Sequence, residues 1–161
     1  MNPIPGVAMP MLRRLIVATA VLLLAAPQRA SAQAPAERAA VERAGLDYLE
    51  GFYEGDTAKL VRALRPDLDK RGFERNRDTG AYTDDRMTYA QAIAYAKSVK
   101  ARNRPPNPAW PKKVEVLDVL DQTAVAKVTA WWGTDYVLLA KFDGRWMITQ
   151  VLWQTPVPAP R

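Results

Sequence analysis

From Lys112 onward the sequence alternates apolar and polar residues at period two, and this stretch constrains the fold more than any other. It reads as four strands, Lys113–Leu120, Gln122–Trp132, Asp135–Phe142 and Arg145–Gln154, separated by Asp121, Gly133-Thr134 and Asp143-Gly144. Asp-Gly is the preferred pair of a type I′ hairpin turn, and Gly-Thr suits type II′. Such turns make an antiparallel meander. Before it, Asn103 to Pro111 carries four prolines, which can neither continue a helix nor join a sheet interior.

Residues opposite one another across a two-residue hairpin share a face, so the turns fix which side chains go together. One face then collects Ala124, Ala126, Val128, Ala130, Trp132, Asp135, Val137, Leu139, Lys141, Trp146, Ile148, Gln150 and Leu152. Its small alanines suit a surface that receives helices, so it is expected to be the core. The opposite face carries Trp131, Tyr136, Leu138, Phe142, Met147, Val151 and Trp153, more large apolar groups than a solvated surface usually shows.

Upstream the period is helical. Val41, Gly45, Tyr48, Leu49 and Phe52 recur at three- and four-residue steps, predicting an amphipathic helix from about Ala36 to Tyr53. Gly55 suits its left-handed end and Asp56 the N-cap of a second helix, about Thr57 to Leu64, which stops before Pro66. Thr88 and Gln91 form a capping box that opens a third helix from Tyr89 to about Ala101. Residues 67–86 read as polar and irregular, with a weak strand pair near Arg71–Arg75 and Ala81–Thr83.

The N-terminus reads as an address. Arg13-Arg14, the apolar run Leu15 to Ala26 and Ala30-Ser31-Ala32 form the three parts of a cleavable signal peptide, residues 1–32. Met1 and Met11 both serve as openings for such a segment. The expected product is one domain over 33–154 with a disordered proline-rich tail, 155–161, exported to the bacterial periplasm or medium and not held by a membrane after cleavage. Removing residues 1–32 leaves 20 basic against 17 acidic residues, about +3, which does not point to a nucleic-acid partner.

Two absences exclude much chemistry. Without cysteine there is no disulfide, thiolate nucleophile or thiolate metal site, and without histidine no imidazole acid–base pair or ligand. Asp84-Asp85 is too sparse for calcium, and no glycine loop suits a phosphate. No metal and no cofactor is expected. The basic positions Lys70, Arg71, Arg75, Arg77, Lys97, Lys100, Arg102 and Arg104 read as solvated surface.

Two segments carry a resemblance. Tyr48-Leu49-Glu50-Gly51-Phe52-Tyr53-Glu54-Gly55-Asp56 and Asp135-Tyr136-Val137-Leu138-Leu139-Ala140-Lys141-Phe142-Asp143-Gly144-Arg145-Trp146-Met147-Ile148 resemble the first-helix exit and last hairpin of the putative lumazine-binding branch of the nuclear transport factor two-like superfamily. The similarity covers roughly residues 40 to 153. Where that branch often has His-Pro after the second helix, Arg65-Pro66 stands here. The resemblance implies an α+β cone: a curved antiparallel sheet wrapped around three N-terminal helices, with a cavity at its open end.

Inward polar and aromatic residues are then the candidate ligand-binding set: Tyr48, Trp132, Asp135, Lys141, Trp146 and Gln150. Asp135 reads either as a base in an apolar pocket, with Tyr48 or Tyr89 as proton donor, or as an ordinary turn residue. Lys141 binds an anion or snorkels at the rim, and the tryptophans stack a planar ligand or fill the core. The leading expectation is a non-catalytic module for a small apolar or aromatic ligand, or for protein contacts. The alternative is a cofactor-independent, ketosteroid isomerase-like enzyme using Asp135 and Tyr48. A homodimer is expected through Trp131, Leu138, Phe142, Met147 and Trp153.

Overall fold

The computed structural model describes residues 26–157, with side chains from Ala34 onward. The chain divides into two units, residues 1–33 and 34–161. Most of the expected signal segment lies outside the described residues; Ala30-Ser31-Ala32 falls within the first helix, α1 (Ala26–Glu54). All that follows concerns the second unit.

The predicted helices form where the spacing placed them. The inner stripe of α1 buries Val41, Ala44, Tyr48, Leu49 and Phe52. Gly55 follows at φ +66, packed so closely on the backbone of Ala96 and Lys100 that a Cβ has no room. The Asp56 carboxylate then accepts from the backbone N–H groups of Ala58 and Lys59 at the start of α2 (Thr57–Ala63). The reciprocal Thr88–Gln91 capping box is present at the start of α3 (Tyr89–Ala101).

The sheet has six strands: β1 (Leu64–Arg75), β2 (Tyr82–Met87), β3 (Lys113–Val119), β4 (Thr123–Ala130), β5 (Gly133–Phe142) and β6 (Arg145–Gln154). They lie in the order β2-β1-β6-β5-β4-β3 as a curved, unclosed sheet. The fold class is α+β as expected, but the sheet is mixed, because β1 pairs parallel to β6. The stretch read as irregular is largely this strand and its partner β2. Its polar outer residues and Pro66 hid a buried set at every second position, Leu68, Lys70 and Gly72.

Two local features depart from the expected register. The β4–β5 turn is Trp131-Trp132, not Gly133-Thr134, because Ala130 pairs with Gly133 and Val128 with Asp135. The pairing slips by an even number of residues, so the faces of β4 and β5 survive. Gly133 adopts φ +138, and a Cβ there would overlap the Gln154 carbonyl oxygen at 1.9 Å. Asp143-Gly144 does form the last turn, with both residues at positive φ (49 and 76).

The second departure is a bulge in β6. Leu139 faces Ile148 while Leu138 faces Gln150, leaving Thr149 as the extra residue. Beyond it every side chain changes face: Val151 and Trp153 turn inward, Gln150 and Leu152 outward. This corrects the expected faces of those four residues. It also removes Trp153 from the proposed outer dimer surface; Met147, only 5% exposed, drops out as well, and Arg65 lies over the Phe142 ring. Thr155, the first residue of the expected tail, donates its N–H to the Phe73 carbonyl, and its hydroxyl accepts from the Arg75 N–H; residues 158–161 of that tail lie outside the described residues. No described helix is long and apolar enough to cross a membrane.

Candidate functional site

Three of the six candidate residues meet at one buried cluster. Asp135 sits inside β5, not in a turn, with its carboxylate fully buried. It accepts the Tyr48 hydroxyl at 2.5 Å and the Trp132 indole N–H at 3.0 Å. The fourth member was missed. Lys70 on β1 donates to the Tyr48 oxygen at 2.9 Å, and its ammonium lies 3.7 Å from the Asp135 carboxylate. The expected solvated lysine is a core residue, 7% exposed. The one signal for it in the sequence was its place between Leu68 and Gly72 at period two.

This cluster is held from all sides. Trp153 stands opposite Asp135 and lies over Gly72, where a Cβ would come within 2.3 Å of its ring. Only glycine fits beneath that indole. Burial pushes the Tyr48 phenol well above its usual pKa, and the Asp135 charge adds to the shift. Burial pulls the Lys70 ammonium down, with Asp135 acting against it. Tyr89, the other proposed donor, packs against the edge of the core and does not bond Asp135.

The remaining candidates lie elsewhere. Lys141 pairs with Glu37 at 2.8 Å, Trp146 donates its N–H to the same carboxylate at 2.6 Å, and the ammonium sits 4.9 Å from the Trp146 ring centre. Glu37 precedes Tyr48 on α1 by about 16 Å of helix rise, so this is a separate cluster. Gln150 is exposed on the outer face and belongs to neither.

The open space is in a third place. A cleft of about 430 Å³ lies between the end of α1, α3 and the proline-rich connection. Phe52 and Tyr53 come from α1, Tyr95 and Val99 from α3, Trp110 from the connection and Trp131 from the β4–β5 turn. The phenol of Tyr53 pins the wall: it donates to the Pro111 carbonyl at 2.5 Å and accepts the Trp131 N–H at 3.0 Å. Trp110 lies tilted against Trp131 at 5.5 Å and meets Tyr53 edge-on at 5.2 Å between ring centres. Arg102 and Arg104 complete the lining. Trp132 does not line the cleft but links its residues to the buried cluster, packing against Phe52, Tyr53 and Trp131 and bonding Asp135. Sequence reasoning placed the cavity at the open end of the cone and lined it with inward sheet residues and Tyr48; Trp110 and Tyr53 carried no periodic signal that set them apart from core. Among the described residues no group of three or more acidic side chains gathers as a metal site would require.

The sequence matches the family described as "Putative lumazine-binding" over residues 36–154. Solved structures with a similar fold include a nuclear transport factor 2-like protein of unknown function from Shewanella baltica, 18% identical, covering 77% of this chain and 97% of its own, with a TM-score of 0.56. Another, from Silicibacter pomeroyi, is 16% identical, covers 79% and 98% of the two chains, and gives a TM-score of 0.54. A domain of unknown function with a cystatin-like fold from Nostoc punctiforme is 13% identical, covers 77% and 80%, and gives 0.51. No curated protein matches this chain. The matched residues run from the start of the amphipathic part of α1 to the end of β6, so the chain belongs to the putative lumazine-binding family, and its fold is that of the nuclear transport factor 2-like structures.

Proposed function

We propose that this domain is an exported, non-catalytic binding module that takes a small planar aromatic molecule into the cleft lined by Trp110 and Trp131. The aromatic lining carries the reading: Phe52, Tyr53, Tyr95, Trp110 and Trp131 supply flat apolar walls around an open volume that suits a small ligand. The family's description, which concerns a heteroaromatic ligand, supports small-molecule binding. Export rests on the N-terminal signal pattern alone. Native mass spectrometry of protein purified from its own host tests all of this at once. It is expected to find a chain lacking residues 1–32 with a retained small molecule. A full-length, empty chain that also gives no tryptophan fluorescence change with planar aromatics sinks the reading.

A second reading has one observation behind it, the 2.5 Å contact between Tyr48 and Asp135. A carboxylate beside a phenol in an apolar site is the equipment of ketosteroid isomerase-like proton transfer. Here both oxygens of Asp135 are already bonded, and neither Tyr48, Lys70 nor Asp135 lines the cleft. Asp135→Asn separates the readings. A stable variant that binds but has lost turnover supports the enzyme; lost folding or unchanged behaviour supports the module.

Self-association belongs to the same proposal, on amended residues. Tyr136, Leu138 and Leu152 are the large apolar groups exposed at the centre of the outer sheet face. Leu138→Glu is expected to abolish a homodimer in sedimentation, and a wild-type monomer at high concentration removes the idea.

A further inference from the structure

We propose that the cleft selects planar aromatic anions, with the guanidinium groups of Arg102 and Arg104 binding the charged substituent at its mouth. This rests on the cleft reading above and adds the charge of the ligand to it. The lining contains two arginines and no acid. Neither arginine has an acidic partner among the described residues, whereas Arg43, Lys59, Arg62 and Lys112 around α1 and α2 are ion-paired. Arg102 instead faces the Tyr95 ring at 6.0 Å and donates to the Ser98 hydroxyl at 3.3 Å, which aligns it with the aromatic wall.

Helix polarity does not cancel this field. The cleft lies beside the C-terminal end of α3, where the dipole supplies about half a negative elementary charge. Two full positive charges outweigh it. A neighbouring groove of about 470 Å³ shares Val99, Arg104, Pro105 and Pro106 with the cleft and adds Lys100. Its one acid, Glu54, is neutralised by Lys59 at 2.7 Å. The basic stretch that composition alone assigns to solvent is thus gathered at the edge of an aromatic wall. Guanidinium groups suit this task, because they bond carboxylate, sulfonate or phosphate oxygens in a planar fork while stacking on rings.

The test uses two probes of matched shape, the anionic dye 8-anilinonaphthalene-1-sulfonate and the neutral N-phenyl-1-naphthylamine, titrated by fluorescence into the intact domain. The anion is expected to bind about tenfold more tightly and to weaken as salt is raised, while the neutral dye is indifferent to salt. Exchanging both cations, Arg102→Gln with Arg104→Gln, is expected to remove that tenfold preference by weakening the anion far more than the neutral dye. Both arginines are exposed, so the fold is not at risk, and circular dichroism confirms it. Equal affinity for the two dyes, or a preference that survives the double exchange, overturns anion selection while leaving an aromatic cleft. Binding of both dyes that is unaffected by Trp110→Ala, or binding of neither, overturns the cleft itself and this inference with it.

Discussion

Trp132 stands as a wall between the buried cluster and the residues of the cleft, bonding Asp135 and packing against Phe52 and Tyr53, and the two sides treat polar groups in opposite ways. Below it, Lys70, Tyr48 and Asp135 are removed from water and bonded to one another. Above it, two guanidinium groups stand at an open aromatic surface without acidic partners among the described residues. A buried ion pair rarely adds net stability over a well-packed apolar alternative, but breaking one is costly. The cluster therefore fixes how α1, β1 and β5 meet, and the cleft keeps its charges available to something else. Stability and ligand binding ought to separate along that wall.

The strongest way to break this contrast is Asp135→Ala. It leaves the Lys70 ammonium buried without a counter-charge, and the expected loss is about 3–5 kcal/mol in urea unfolding. The double exchange Lys70→Met with Asp135→Leu is expected to recover most of that loss. If the single and double variants are equally unstable, packing and not charge governs the site. Gly72→Ala is next, at about 1–3 kcal/mol, because its methyl group collides with the Trp153 ring. A denaturation midpoint equal to wild type would mean that the indole moves aside freely.

A smaller effect lies on the outer side of α1. Glu50 is bonded by Lys112, Lys59 and Arg43. Partial burial opposes its charge, but those three partners prevail and lower its pKa from 4.5 to about 2. A carboxyl depressed on folding contributes stability that is complete above its unfolded pKa, near 4.5, and is lost as pH falls toward 2. Glu50→Gln is thus expected to flatten the stability profile between those limits, read by thermal unfolding at stepped pH. An unchanged acid limb would show that the cations hold Glu50 no better than water does.

What the sequence disclosed follows the same division. Helix caps and hairpin glycines are local signals, so Asp56, Thr88 with Gln91 and Asp143-Gly144 were legible from a few residues each. The inward direction of Asp135 and Tyr48 followed from period alone. Non-local pairing was not legible. That β1 joins β6 in parallel depends on contacts with no local trace, and Lys70 looked solvated because most lysines are. The bulge at Thr149 reversed four residues because one inserted position changes every face beyond it. The cleft was illegible for a further reason: its walls come from α1, α3, the connection and a turn, brought together by the fold and by no shared motif.

The smallest effect sharpens the comparison most. Arg104 is exposed and takes part in no ion pair among the described residues, so Arg104→Gln is expected to change stability by less than about 0.5 kcal/mol. Removing one of two like charges at the cleft mouth relieves repulsion, which places the shift on the stabilising side. Parallel urea titrations of Arg104→Gln and Asp135→Ala check this directly. If Arg104→Gln destabilises by as much as 2 kcal/mol, the connection depends on that guanidinium for its conformation. The cleft would then be part of the structural core, and the wall at Trp132 would no longer divide folding from binding.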